Sequence, residues 1–278
     1  ERLSSASVVW ERIEGEEDKN SPHTIEIPSE YFGKGKQETS SITTPNLING
    51  TVYRLTLNGR DLAGNLSGVV YHNMNYDIKN PKLSLIYPLD KPANNNTDIG
   101  YELSEQLGSA TITYTWLGGV EDGNSPHIIN IDQRSLPEGA TDRYPLNPGP
   151  FLVDGASYKI ELEGVDRAGN KSNLSIRNSM LYDITKPILS MSIPKEGLVN
   201  IGKEISYSIS EDLFESEVVW NRVGGNTDNN SPHNIELTDE EKLKGEYELV
   251  VLDKTTDLLS STIYNISIQG IDPAGNES

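Results

Sequence analysis

Three of the four histidines in this 278-residue chain, His23, His127 and His233, close the same tetrapeptide, Asn-Ser-Pro-His. A histidine does acid–base or nucleophile-activating work only when a nucleophile or carboxylate is held beside it. Two readings apply. A metal site with one histidine per copy would need acidic partners such as Asp18, Asp122 and Asp228. A purely structural loop needs only Pro22, Pro126 and Pro232 to fix φ, with Asn and Ser bonding the turn backbone. The tryptophans pose a similar choice. Trp10, Trp116 and Trp220 would stack on sugar rings if exposed, but their alternation with Val8, Tyr114 and Val218 places them in a core. No P-loop, dinucleotide fingerprint, zinc motif or nucleophile elbow is present.

The elements that position these residues recur along the chain. VVWERIEGEEDKNSPHTIEI from Val8 matches TYTWLGGVEDGNSPHIINI from Thr113 and VVWNRVGGNTDNNSPHNIEL from Val218. YRLTLNGRDLAGNLS from Tyr53 matches YKIELEGVDRAGNKS from Tyr158 and YNISIQGIDPAGNES from Tyr264. YDIKNPKLSLIYP from Tyr76 likewise matches YDITKPILSMSIP from Tyr182. Tyr53, Tyr158 and Tyr264 stand 105 and 106 positions apart, which is about one sandwich domain. Within a repeat the apolar residues alternate, as in half-buried strands: Leu83, Leu85 and Tyr87; Ile99, Tyr101 and Leu103; Ile112, Tyr114 and Trp116; Tyr158, Ile160 and Leu162. Gly, Pro and Asn clusters separate them, and no segment carries a helical stripe. About seven strands per repeat fit an all-β fold of tandem immunoglobulin-like or fibronectin type III-like β-sandwiches, with a repeat of about 106 residues.

Two motifs refine this. LINGTVY before Arg54 and LVDGASY before Lys159 resemble the fibronectin type III turn that leads into a tyrosine corner. The resemblance makes Tyr53, Tyr158 and Tyr264 the corner tyrosines, with hydroxyls bonded to the preceding backbone. Each is followed by a D-x-A-G-N hairpin in which Asp61, Asp166 and Asp272 accept backbone N–H bonds and Gly64, Gly169 and Gly275 take positive φ. The D-x-A-G-N-x-S hairpin followed by Y-D-x-x-x-P resembles the bacterial Ig-like repeats of large surface proteins and adhesins. That resemblance covers essentially the whole chain. It implies export, long arrays, and use as spacers or adhesive stalks.

The domain boundaries expected from the repeat are 1–79, 80–185 and 186–278. The alignment leaves the first repeat without its first two strands and the third without its last. Two explanations stand: the chain is part of a longer array, or a neighbouring chain completes the open sandwiches by strand addition.

In such a sandwich the B–C and F–G loops lie at the end where strand A begins, facing the preceding domain. Asp77 in the first linker is therefore expected near Glu105 and Asp166, and one period later Asp183 near Glu211 and Asp272. Three converging carboxylates repel one another unless a cation neutralises them. Calcium, which takes six to eight oxygens in flexible geometry, would suit both junctions and stiffen the hinge. The alternative is that Asp166 caps its hairpin and Asp77 ends a strand.

Composition narrows the classes. There are 42 acidic and 23 basic residues, for a net charge of −19, which disfavours nucleic acid and anionic membranes as partners. Absence of cysteine excludes disulfides and thiolate metal sites. There is no run of 18 apolar residues, so no inserted helix is expected. Any signal peptide is expected upstream of Glu1 or removed. N-x-[ST] sequons, among them those at Asn49, Asn65, Asn95, Asn170, Asn173, Asn265 and Asn276, would matter only in a eukaryotic secretory pathway. The expectation is a non-catalytic stalk or scaffold segment, extracellular or at a cell surface, whose partners are neighbouring repeats or further copies in a fibre. The alternatives are an adhesive module gripping glycan or protein through its loops, and an accessory segment of a secreted enzyme.

Overall fold

The computed structural model describes residues 1–38, 45–88, 93–195, 203–252, 254 and 257–278. Among these residues there is no α-helix. Apart from strands there are two short 3-10 turns, at Ser29–Tyr31 and Gln133–Ser135. The chain divides into two compact units, the first made of residues 1–82 with 106–108 and 165–173, the second of the rest.

The sheet of the first unit contains β1 (Leu3–Gly15), β2 (His23–Glu26), β3 (Thr51–Asp61) and β4 (Leu66–Tyr76), in the order β2-β1-β3-β4. All its pairings are antiparallel. Period-two alternation gathers its apolar side chains into cross-strand rows: Val8 opposite Leu57 opposite Val69, and Trp10 opposite Leu55 opposite Tyr71. Tyr53 is fully buried beside them, edge-on to Trp10.

In the second unit eight strands come first: β5 (Leu83–Tyr87), β6 (Ala93–Asn94), β7 (Ile99–Leu103), β8 (Leu107–Gly119), β9 (His127–Ile131), β10 (Gly139–Tyr144), β11 (Ala156–Asp166) and β12 (Ser175–Tyr182). They form a three-stranded sheet, β10-β7-β5, and a five-stranded sheet, β6-β12-β11-β8-β9. With β5, β7, β8, β9, β10, β11 and β12 standing for strands A, B, C, C′, E, F and G, this is the order of an immunoglobulin-type sandwich. The inward residues are the alternating ones. Leu83, Leu85, Ile99, Tyr101, Leu103, Ile112, Tyr114, Tyr158, Ile160 and Leu162 are all buried. A detail absent from the alternation is β6, two residues added parallel to β12 through Leu181 and Tyr182.

Six further strands follow: β13 (Leu189–Ile193), β14 (Ile205–Ile209), β15 (Glu215–Gly225), β16 (His233–Glu236), β17 (Gly245–Val250) and β18 (Thr262–Ile271). They make sheets β13-β14-β17 and β16-β15-β18. Ile205, Tyr207, Ile209, Val218, Trp220, Ile235 and Leu237 share one core, with Leu189, Met191, Ile266 and Ile268 packed against it. The fold is all-β and immunoglobulin/fibronectin-like, as the strand pattern led us to expect.

Trp116 departs from that expectation. Trp10 pairs with His23 and Trp220 with His233, but the residue opposite His127 is Tyr114. Tyr114 is therefore the structural counterpart of the two tryptophans and is 1% exposed, whereas Trp116 is 36% exposed. Trp116 instead stands where Arg12 and Arg222 stand. All three backbone N–H groups donate to the serine of the Asn-Ser-Pro-His loop, at 2.7–2.8 Å. All three side chains also donate to a carbonyl four residues on.

Candidate functional site

Each Asn-Ser-Pro-His loop is buttoned to the sandwich by a three-residue cluster. The carboxylate of Asp122 accepts from His127 Nε2 at 2.6 Å, from the Tyr158 hydroxyl at 2.6 Å and from the backbone N–H of Asn124 at 2.9 Å. Asp18 does the same with His23, Tyr53 and Asn20, and Asp228 with His233, Tyr264 and Asn230. All three aspartates are buried. The tyrosine hydroxyl, having donated to the aspartate, accepts the N–H of the residue five positions before it: Ile48, Val153 or Leu259. That is the tyrosine corner expected from the LINGTVY and LVDGASY turns.

The electrostatics follow from this donor set. The Tyr53 hydroxyl, opposed by burial and helped by His23 and Asn20, holds the Asp18 carboxyl below its usual value. Burial works against Asp122, yet the bonds from His127 and Tyr158 still leave it lowered. Tyr264 and His233 bring Asp228 down to about 2. Burial, and then the neighbouring carboxylate, push Tyr158 up to about 12. The clusters thus consist of an ionised aspartate with its oxygens occupied and a hydroxyl fixed as a donor. They hold two loops together. The Nε2 of each histidine and the carboxylate of its aspartate are bonded to each other, so the two are not held open together as joint ligands of one metal.

The loop carrying the tyrosine corner also grips the linker beyond β12. Asp154 accepts the N–H of Ile184 at 2.8 Å and the Thr185 hydroxyl at 2.7 Å, while Gly155 N–H donates to Tyr182 O at 2.9 Å. From the other side, Asn276 Nδ2 donates to the Asp183 carbonyl at 3.0 Å. In the first unit Asn49 holds the N–H of Ile78 at 2.8 Å, and Asn170 Nδ2 donates to the Asp77 carbonyl at 3.1 Å. The sequence had suggested the turn role of the D-x-A-G-N asparagine's neighbours but gave no sign that the asparagine reaches the linker.

Asp183, Glu211 and Asp272 come together, each with a carboxylate oxygen within 4.8 Å of the others. Asp272 is buried, its Oδ1 accepting from Gly275 and Asn276 N–H and its Oδ2 from Asn276 Nδ2. Asp183 and Glu211 are half-buried and poorly solvated. Burial first, then the neighbouring carboxylates, pushes both above their usual values. Of the earlier set, Asp77 and Asp166 lie in the first unit, also within 4.8 Å of one another. Asp166 caps its hairpin through Gly169 and Asn170, so the turn role holds there as well. Glu105, half-buried, is assigned to the second unit.

No family model matches the chain, and no curated protein matches it. Among solved structures it is similar to the FN1-FN3 domains of chicken CNTN1, at 10% identity and a TM-score of 0.37, covering 99% of this chain and 87% of that one. It is also similar to a tetra-tandem repeat in the extending region of a large adhesion protein (14% identity, TM-score 0.30, 100% and 65% covered). A third is a 1.5-MDa bacterial ice-binding adhesin (11%, TM-score 0.23, 100% and 84% covered). At these values the fold rests on the strand order and register described above.

Proposed function

We propose that the chain is a non-catalytic stalk or scaffold segment of a large extracellular or cell-surface repeat protein, organised as three repeats over residues 1–79, 80–185 and 186–278. The observation that carries this reading is the doubly held linker at Asp183–Thr185, gripped by Asp154 on one side and Asn276 on the other. A segment whose linker is ordered by side-chain bonds resists bending, which is what a spacer requires and what a flexible tether avoids. Pro187 adds to this by restricting the residue before it.

Calcium completes the reading. Asp183, Glu211 and Asp272 offer hard oxygen donors of a kind that suits Ca²⁺, and the upward shifts at Asp183 and Glu211, from burial first and the neighbouring carboxylates second, mark charges that a divalent cation would stabilise. The sequence repeats the same three donors at Asp77, Glu105 and Asp166. Titrating the chain with calcium, followed by calorimetry and X-ray scattering, tests this. A melting temperature that rises with calcium, and a maximum dimension that rises with it, support a calcium-stiffened stalk. No response up to millimolar calcium leaves a metal-free spacer.

A second reading, an adhesive module acting through its loops, draws on the exposure of Trp116 and of Phe151, which is 88% exposed. Against it, the Trp116 indole N–H is already committed to Val120 O at 3.0 Å, and His127 is buttoned to Asp122. Glycan-array binding lost on Trp116→Ala would favour this reading over the stalk.

A further inference from the structure

The turn that leads into the first tyrosine corner holds a reactive dipeptide. An asparagine before glycine exposes its side-chain amide to the next backbone nitrogen, because glycine has no Cβ to obstruct the approach. The sequence has two such pairs, Asn49–Gly50 and Asn58–Gly59. Asn58 and Gly59 sit inside β3, opposite Ser7 and Ala6 on one side and Gly68 and Ser67 on the other. Paired on both flanks, that backbone cannot rotate to close a ring. Asn49 and Gly50 are instead the central residues of a turn, closed by Thr51 N–H on Ile48 O at 3.3 Å, with Gly50 at φ +77°. Both reacting groups are tied to the linker after β4. Gly50 N–H donates to Tyr76 O at 2.9 Å, and Asn49 Oδ1 accepts the Ile78 N–H at 2.8 Å.

We propose that Asn49 is a site of self-modification guarded by this linker: with residues 76–78 docked the turn is inert, and when they lift the asparagine converts. The Gly50 nitrogen attacks Asn49 Cγ. An N–Cγ bond forms, the Cγ–Nδ2 bond breaks, and ammonia leaves with the Gly50 proton. Water then opens the succinimide. Cleavage of the new N–Cγ bond gives aspartate, and cleavage between Gly50 N and the Asn49 main-chain carbonyl carbon gives isoaspartate. Water is the only co-reactant. The second repeat shows that the turn accommodates the aspartate. Asp154–Gly155 stands in the place of Asn49–Gly50, with Gly155 at φ +76° and the same two bonds, to Tyr182 O and from Ile184 N–H. The Ile184 N–H and the Thr185 hydroxyl hold the Asp154 carboxyl below its usual value, and a carboxylate resists the attack that an amide invites. Conversion to aspartate therefore leaves a charged acceptor for Ile78. Isoaspartate adds a methylene to the main chain and displaces that acceptor.

The test holds the full 278-residue chain in mildly alkaline buffer at body temperature, beside the same chain unfolded in urea. Peptide mass spectrometry follows each asparagine over weeks. In the folded chain the mass change of Asn to Asp is expected to accumulate at Asn49 and not at Asn58; in urea it reaches both, and faster. Asn170→Ala removes the Nδ2 bond on the Asp77 carbonyl that also holds this linker. It should quicken conversion at Asn49 of the folded chain by about twofold to tenfold, the scale of one hydrogen bond, and leave the rate in urea unchanged. Asn58 should stay unconverted in the folded variant, which separates a loosened linker from a loosened sheet. Four results overturn the proposal: no conversion at Asn49 in the folded chain while the urea sample converts, a folded rate equal to that in urea, conversion at Asn58 as fast as at Asn49, or a folded rate that Asn170→Ala leaves unchanged.

Discussion

Two sets of buried or half-buried carboxylates behave in opposite ways. At Asp18, Asp122 and Asp228 each carboxylate meets three donors and no like charge, and its pKa falls. At Asp183 and Glu211 the carboxylates meet one another and Asp272, and their pKa values rise. Burial acts against the charged form in both places. What differs is whether the chain itself supplies the compensation. The first set is complete as folded and serves the fold. The second is left in need of a counter-charge, which is why it is the better candidate for a ligand.

The largest expected effect breaks the first set. Tyr158→Ala removes a fully buried ring and the donor to Asp122, and should cost the middle sandwich about 3–5 kcal/mol in denaturant unfolding. Tyr158→Phe keeps the ring but leaves Asp122 short of a donor and the Val153 N–H without its acceptor. A loss of about 1–3 kcal/mol is expected, and an unchanged midpoint would show that the ring's packing, not the hydroxyl, carries the contribution of Tyr158.

Acid titration sets the two regions against each other. Because the folded Asp228 lies at about 2, below the unfolded value of 3.8, its contribution to stability is full above that unfolded value and is lost as pH falls toward 2. Asp18 and Asp122, also lowered, act in the same direction. Asp183 and Glu211, being raised, act oppositely: their ionisation opposes folding, and that penalty is relieved as pH falls through their folded values. Melting followed from pH 7 to pH 2 without calcium should therefore show relief first and loss afterwards.

The smallest effect carries the clearest sign. Without calcium, Glu211→Gln should stabilise by up to about 1 kcal/mol by removing a charge that burial and then the neighbouring carboxylates disfavour, and it should also blunt any calcium response. Asp122→Asn should do the reverse and destabilise, since an amide cannot accept from His127 and Tyr158 as a carboxylate does. If both neutralisations move stability in one direction, the distinction between the two sets fails.

Much of this architecture was legible in the sequence because strands advertise themselves through alternation. Tyr158, Ile160 and Leu162 declare an inward face two residues at a time, and the tyrosine spacing gives the period. The grouping of Asp183, Glu211 and Asp272 was legible once a sandwich was assumed, because topology fixes which loops share an end. Trp116 was misread because residue type was matched across copies. Counting back from His127 places Tyr114, not Trp116, at the distance separating Trp10 from His23. The tyrosine's place in the Asp–His–Tyr cluster was out of reach for another reason. Asp122 lies on a loop and Tyr158 in β11, 36 residues away, and no periodicity reports a loop meeting a strand. The grip of Asp154 on Ile184 and Thr185 escaped in the same way.

That grip bears on what happens under tension. A pull transmitted through residues 183–187 meets the bonds from Asp154 and Asn276 before it meets either core. These bonds stand alone, not as a ladder sheared all at once, so they are expected to open before the sandwiches unfold. The gain is small, because a freed residue spans at most about 3.5 Å in all, part of which it already covers. Recovery requires only that the linker fall back onto Asp154 and Asn276, with no hydrophobic core to rebuild. The joint, stiff against bending, is thus expected to give way under a strong pull before the folded bodies on either side of it do.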